Sequence, residues 1–121
     1  MIWSMIAAIA LALAVMLGAF GAHVLKGRLD AYSMGIYEKA VFYHFIHAMG
    51  LLVVSLLPKS GTLNPNQAAW VSALLLGGIV IFSGSLYALA GTGIRVLGAI
   101  TPLGGLSFIA AWALLAYFLR P

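Results

Sequence analysis

Glu38-Lys39-Ala40-Val41-Phe42-Tyr43-His44-Phe45-Ile46-His47 decides how this chain folds, because it leads two charges, a tyrosine and two histidines directly into an apolar run that ends near Leu57. A membrane-spanning helix needs about 20 mainly apolar residues, so the run from Ala40 to Leu57 is short for a span unless its lead-in contributes. Leu29, Tyr32, Ile36 and Ala40 recur at helical spacing, and Asp30 stands where an N-cap belongs. The pattern predicts a short interfacial amphipathic helix over roughly 30–38, bending or running straight into the second span. Lys26, Arg28 and Lys39 reach towards headgroups from it, with Tyr32 and Tyr37 at the boundary.

Three more stretches are long and apolar enough to cross a bilayer. The four spans are expected at about 2–22, 40–57, 68–90 and 98–119, joined by links at 23–39, 58–67 and 91–97. The middle link is turn-rich, with Pro58, Gly61 and Pro65, and Asn66 is a candidate cap for the third helix. Gly91 and Gly93 shorten the last link and make the third and fourth helices antiparallel neighbours. The fold class is therefore an all-α integral membrane protein, a four-helix up-down bundle forming one domain over residues 1–121.

Composition agrees. The chain is 64% hydrophobic and 7% charged, whereas about a quarter of the residues of an ordinary soluble domain are charged. Its net charge of +4 is spread over loops and segment ends, which excludes a phosphate-tracking stripe and with it a nucleic-acid partner. Membrane lipids are the expected partners of those cations. The absence of cysteine removes disulfides, thiolate nucleophiles and Cys-ligated metals from consideration. Ala19-Phe20-Gly21 reads small-x-small, as a secretory cleavage site would, but no basic n-region precedes it, so the first helix is read as retained. Four cations at one end, Lys26, Arg28, Lys39 and Arg95, against Lys59 and Arg120 at the other leave orientation undecided, since Glu38 offsets one of the four.

Antiparallel threading gathers nearly all the polar residues at one end of the bundle. Polar groups at membrane depth cost free energy unless partnered, so this concentration marks the candidate site. The candidate ligand-binding residues are His23, Tyr43, His47, Ser83, Tyr87 and Arg95. Tyr43, His47, Ser83, Tyr87 and Arg95 are expected to approach one another, with His47 hydrogen-bonded to another helix. His44 lies about 60° from His47 around the helix, close enough for a metal pair, but is expected to reach the interface. Glu38 points away from His47, so no Glu-x-x-His ligand set forms and no metal is assigned. His23 is readable as an imidazole at a helix C-terminus, and Arg95 as a lipid-phosphate contact or a clamp on an anionic group. Small residues four apart, Ala14-Gly18-Ala22, Ala73-Gly77 and Gly84-Ala88, are expected to form helix seams. Pro102 is harmless in a first helical turn. If the helix already starts at Gly98, it frees a carbonyl inside the bundle.

Four motifs, Gly18-Ala19-Phe20-Gly21-Ala22-His23, Tyr43-x-x-x-His47-Ala48, Phe82-Ser83-Gly84-Ser85-Leu86-Tyr87 and Thr101-Pro102-Leu103-Gly104-Gly105, span almost the whole chain. Together they resemble a small family of bacterial inner-membrane proteins of unassigned function with small eukaryotic transmembrane relatives. The resemblance implies a four-helix membrane fold in the bacterial cytoplasmic membrane and supplies no reaction or cofactor. That pattern admits glutamine at the position of His44.

Three functions compete. The first is a module that binds a small or lipidic ligand or an ion at the polar cluster, transport-related if it assembles as a homo-oligomer. The second is a structural subunit or assembly partner for other membrane proteins. The third, ranked below them, is an enzyme acting on a lipid-soluble substrate with His47 or His23 as acid/base. No nucleophile–base–orienter set is visible for it. Cavity volume around His47 discriminates the binding and enzymatic readings from the structural one.

Overall fold

The computed structural model describes residues 2–121. Four helical stretches, Ile2–Leu25, Ala31–Ser60, Pro65–Thr92 and Leu97–Phe118, are long and apolar enough to cross a membrane, as the hydropathy predicts. The first is α1 (Ile2–Phe20) closed by a π-helical turn at Gly21–Leu25. The second is α2 (Ala31–Leu56), finished by a 3-10 turn at Leu57–Ser60. The third is α3 (Pro65–Gly78) and α4 (Gly84–Thr92), joined without a break by a π turn at Ile79–Ser83. The fourth is α5 (Leu97–Leu119).

The lead-in to the second span takes the straight alternative: residues 31–39 are the first turns of α2 itself, which gives the short apolar run its missing length. Asp30 caps it as expected, accepting a hydrogen bond from the Ser33 N–H at 2.7 Å. That backbone hydrogen bond holds its carboxyl below the usual carboxylate range. The third span is capped by Asn64, not Asn66. Asn64 accepts from the Gln67 N–H at 2.9 Å, and the Gln67 side chain accepts from the Asn64 N–H at 3.0 Å. Asn66 fails as a cap because Pro65, with no N–H to lose, already occupies the first helical turn. Gly93, at φ 71°, ends α4 in the left-handed region that favours glycine and turns the chain into α5.

Contacts across the last two spans run antiparallel: Ser107 bonds to the Leu74 carbonyl, and Thr101 to Ser85. α2 is the central element, packing on α1, α3 and α4, while α5 packs on the third span and α1 chiefly on α2. The main core lies towards one end, where Leu51, Val54, Val71 and Leu75 are fully buried beneath Ala7 and Ala111. A smaller cluster of Ala40, Leu86 and Leu89 sits at the other end, among the polar residues.

The seams differ from the small-residue stripes. On the first stripe Ala14 is buried and a Cβ on Gly18 falls 3.4 Å from Val41, but Ala22 is exposed; on the second a Cβ on Gly77 falls 3.6 Å from the Ser107 hydroxyl. Ala73 is exposed, and a Cβ on Gly84 would meet nothing within 4 Å. The tight approaches pair a glycine with a large group opposite: Gly21 with the Tyr37 ring, Gly78 with Phe108, Gly50 with Trp112 and Gly104 with the Phe82 backbone. Spacing alone finds helix faces but not which of them meet. The π turns, each adding a residue to one helical turn, shift the helical phase of the residues beyond them.

Candidate functional site

The polar end is built on two faces of α2. On the first, Tyr37 and His44 lie seven residues apart in one buried stripe that continues to Leu51. The His44 Nδ1 is 2.8 Å from the Tyr87 hydroxyl of α4, a hydrogen bond that ties the second span to the third. Beside it Tyr37 donates to the Leu17 carbonyl, and its ring lies 5.4 Å from that of Tyr87. Ser83 closes this face from the π turn, donating to the Ala40 carbonyl at 2.9 Å.

On the second face, Tyr43 and His47 join an aromatic stack. The His47 ring lies on Phe108 of α5 with centroids 3.5 Å apart and 13° between planes. Tyr43 sits 4.5 Å from Phe82 and 5.9 Å from His47. His47 Nδ1 donates to the Tyr43 carbonyl one turn back at 2.8 Å. Its hydrogen bond is thus made within its own helix, contrary to the expectation, and what it meets on the neighbouring helix is a ring. Packing explains the difference: the glycine at 78 leaves room for Phe108 to slide under the third span and cover the imidazole.

Of the six candidate residues, Ser83 and Tyr87 gather on the first face and Tyr43 and His47 on the second. His23, in the π turn ending the first span, and Arg95, in the last link, are exposed and stand outside both groups. The expected convergence of five residues is therefore two groups on neighbouring faces of α2, without Arg95. His44, expected at the interface, is 5% exposed and forms the central interhelical bond. Tyr37 and His44 are the two network residues that lie outside the six candidates. Their signal was the stripe itself, since Tyr37, His44 and Leu51 recur at a seven-residue interval.

Two clefts flank α2 at this end. The first, about 460 Å³, lies between the first span and α2 and is lined by Gly18, Val41, Phe42 and Phe45, with Lys26 and Glu38 also on its wall. The second, about 400 Å³, is lined by Lys39, Tyr43, Phe82, Gly98, Thr101 and Pro102. Glu38 and Lys39 are sequence neighbours separated by about 100° around the helix, so each faces a different cleft. In the second cleft α5 does begin ahead of Gly98, at Leu97, and Pro102 has no N–H to give the Gly98 carbonyl. The Thr101 hydroxyl is taken by Ser85 at 2.6 Å. Among the described residues the Tyr43 hydroxyl has no hydrogen-bond partner and Lys39 no ion pair. Neither cleft is lined by His47. Among the described residues no three His, Asp or Glu side chains converge as a metal would require.

Four apolar spans with interhelical hydrogen bonds between them define a multi-pass membrane protein. The chain belongs to the family described as "Protein of unknown function (DUF423)", whose model matches residues 17–105. It is 52% identical over 98 residues to a UPF0382 membrane protein of Staphylococcus haemolyticus, covering 81% of this chain and 78% of that one. It is 49% identical over 105 residues to the UPF0382 membrane protein YwdK of Bacillus subtilis, covering 85% and 83%. No solved structure matches the chain.

Proposed function

We propose that this protein binds a membrane-soluble amphiphile at its polar end, in the cleft between α2, the third span and α5. The observation that carries the reading is a pair of polar groups on that cleft's wall, the Lys39 ammonium without an ion pair and the Tyr43 hydroxyl without a hydrogen bond among the described residues, above apolar Phe82 and Pro102. Few polar groups over an apolar wall are what a small-molecule site requires, the first fixing orientation and the second supplying area. The head of the ligand accepts hydrogen bonds from Lys39 and Tyr43 while its tail runs towards the bilayer centre. Of the candidate ligand residues Tyr43 touches the ligand, and His47, Ser83 and Tyr87 hold the wall behind it. His23 and Arg95 act at most at the membrane surface, on headgroups. Movement of such a ligand between leaflets would require a homo-oligomer, since one four-span protomer encloses no path.

A structural or assembly role is the second reading. It is favoured by the completeness of the His44–Tyr87 and Ser83–Ala40 bonds, which leave those groups no free valence for a ligand. Co-purification separates the two. Wild-type protein extracted in mild detergent should carry a lipophilic species enriched over the bulk membrane composition. The Lys39→Gln/Tyr43→Phe protein should fold and lose it. A wild type that carries only the bulk lipid composition leaves the structural role standing.

A further inference from the structure

The cleft between the first span and α2 carries a separate assignment. Its wall is apolar, and Gly18 presents no side chain, so a hydrocarbon chain can lie against the backbone there. From Glu38 to Phe45 it follows α2 for about 10 Å at 1.5 Å per residue. The opposite charges of Lys26 and Glu38 face it, and among the described residues neither makes an ion pair, with each other or with any other group. Glu38 is one of only two carboxylates in the chain, and the other, Asp30, is occupied as the α2 cap. Glu38 and Lys26 are both exposed at the head of this cleft, so each charge is open to a group from outside the chain.

A cation and an anion that line one cleft without pairing fit a ligand that carries both charges on a short tether. We propose that this cleft holds a diacyl lipid with a phosphoethanolamine headgroup, its ammonium on Glu38, its phosphate on Lys26 and one acyl chain against Val41, Phe42 and Phe45. The same arrangement rejects the alternatives. An anionic phosphoglycerol head would satisfy Lys26 but leave Glu38 unpaired beside a like charge. A phosphocholine head carries the right charges, but its quaternary nitrogen has no N–H to donate to the carboxylate. Glu38 is therefore the selecting residue and Lys26 the general phosphate contact. This site is distinct from the Lys39–Tyr43 cleft and does not depend on it.

The test uses full-length protein in micelles doped with equimolar phosphatidylethanolamine, phosphatidylglycerol and phosphatidylcholine of identical acyl chains, read by native mass spectrometry. Wild type should carry the ethanolamine lipid in about tenfold preference over each competitor, the worth of one charge-assisted hydrogen bond. Glu38→Gln should bring the three to near parity, Glu38→Lys should turn the preference towards phosphatidylglycerol, and Lys26→Gln should lower all three. Lys59→Gln, the same charge change at the opposite end, should leave the ratios as in wild type. Equal adducts in wild type, or ratios that neither Glu38 variant moves, would show annular lipid only and overturn the assignment.

Discussion

The two ends of the bundle bury their side chains by different rules. At the apolar end, Leu51, Val54, Val71 and Leu75 fill the space between helices, and the buried hydroxyl of Ser72 has no partner. At the polar end the buried His44, His47, Ser83 and Ser85 are all hydrogen-bonded, and two clefts open beside them. One end is closed by volume and tolerates a stray polar atom. The other is closed by specific bonds and leaves room next to them. The contrast teaches that in lipid, where no hydrophobic effect draws helices together, close packing and hydrogen bonds are separate means of association that one bundle can place at separate ends.

The largest expected effect lies where the spans approach most closely. Gly104→Ala would drive a methyl into the Phe82 backbone, which cannot move aside, and should cost about 3 kcal/mol or more in detergent unfolding. Gly84→Ala, in an equally conspicuous small-residue stripe, meets nothing and should be neutral or stabilising by up to about 1 kcal/mol. Equal costs at the two positions would mean that the seam has been placed wrongly.

Next come the histidines. His44→Leu strands the Tyr87 hydroxyl between helices and should cost about 1–2 kcal/mol. Pairing it with Tyr87→Phe should recover part of that loss in a double-mutant cycle. His47→Gln removes a ring from the Phe108 stack, and should cost about 1 kcal/mol. His47→Phe, which keeps the stack, should cost less than His47→Gln. The reverse order would show that His47 acts through hydrogen bonding and not through its face.

At the apolar end, Ser72→Ala deletes a hydroxyl that no group satisfies and should raise stability by about 1 kcal/mol, whereas Ser83→Ala should lower it. The smallest effect is at the surface. The Ser33 N–H bond lowers the Asp30 carboxyl below its ordinary value, so the cap contributes fully above the free-carboxyl range near about 4 and is lost as pH falls through the lower folded value. The protection of the Ser33 amide, its exchange relative to an unstructured chain at the same pH, should fall on such acidification, and in the Asp30→Ala protein should be low at every pH.

The fold was legible because its signals are one-dimensional: run length sets the spans, Gly93 ends α4 and Asp30 starts α2. The polar end was legible too, since antiparallel threading fixes which helix ends meet. Pairing within it was not. His44 and His47 differ by a rotation that sequence cannot anchor until the buried face of α2 is known, and that face is fixed by Ala40, Leu51 and Val54 packing on other helices. The π turn at Ile79–Ser83 shifts the third span out of simple periodicity, so the stripe at Gly84 points into space while Gly104 finds Phe82. Tyr37, expected only at the boundary, reaches Leu17 because Gly21 lets the ring pass.

The central claim is that the polar end engages membrane lipid selectively while the apolar end is merely bathed in it. Cells fed a diazirine-bearing fatty acid, irradiated, and the protein mapped by peptide mass spectrometry would test this most directly. Phe42, on a cleft wall, and Trp70, on the outer face of the other end, are almost equally exposed, at 62% and 66%. Annular lipid would label the two alike. Selective engagement should concentrate adducts on Phe42, Tyr43 and the start of α5, with a narrow set of lipid masses. Labelling of equal strength and the same lipid composition at Phe42 and Trp70 would contradict it.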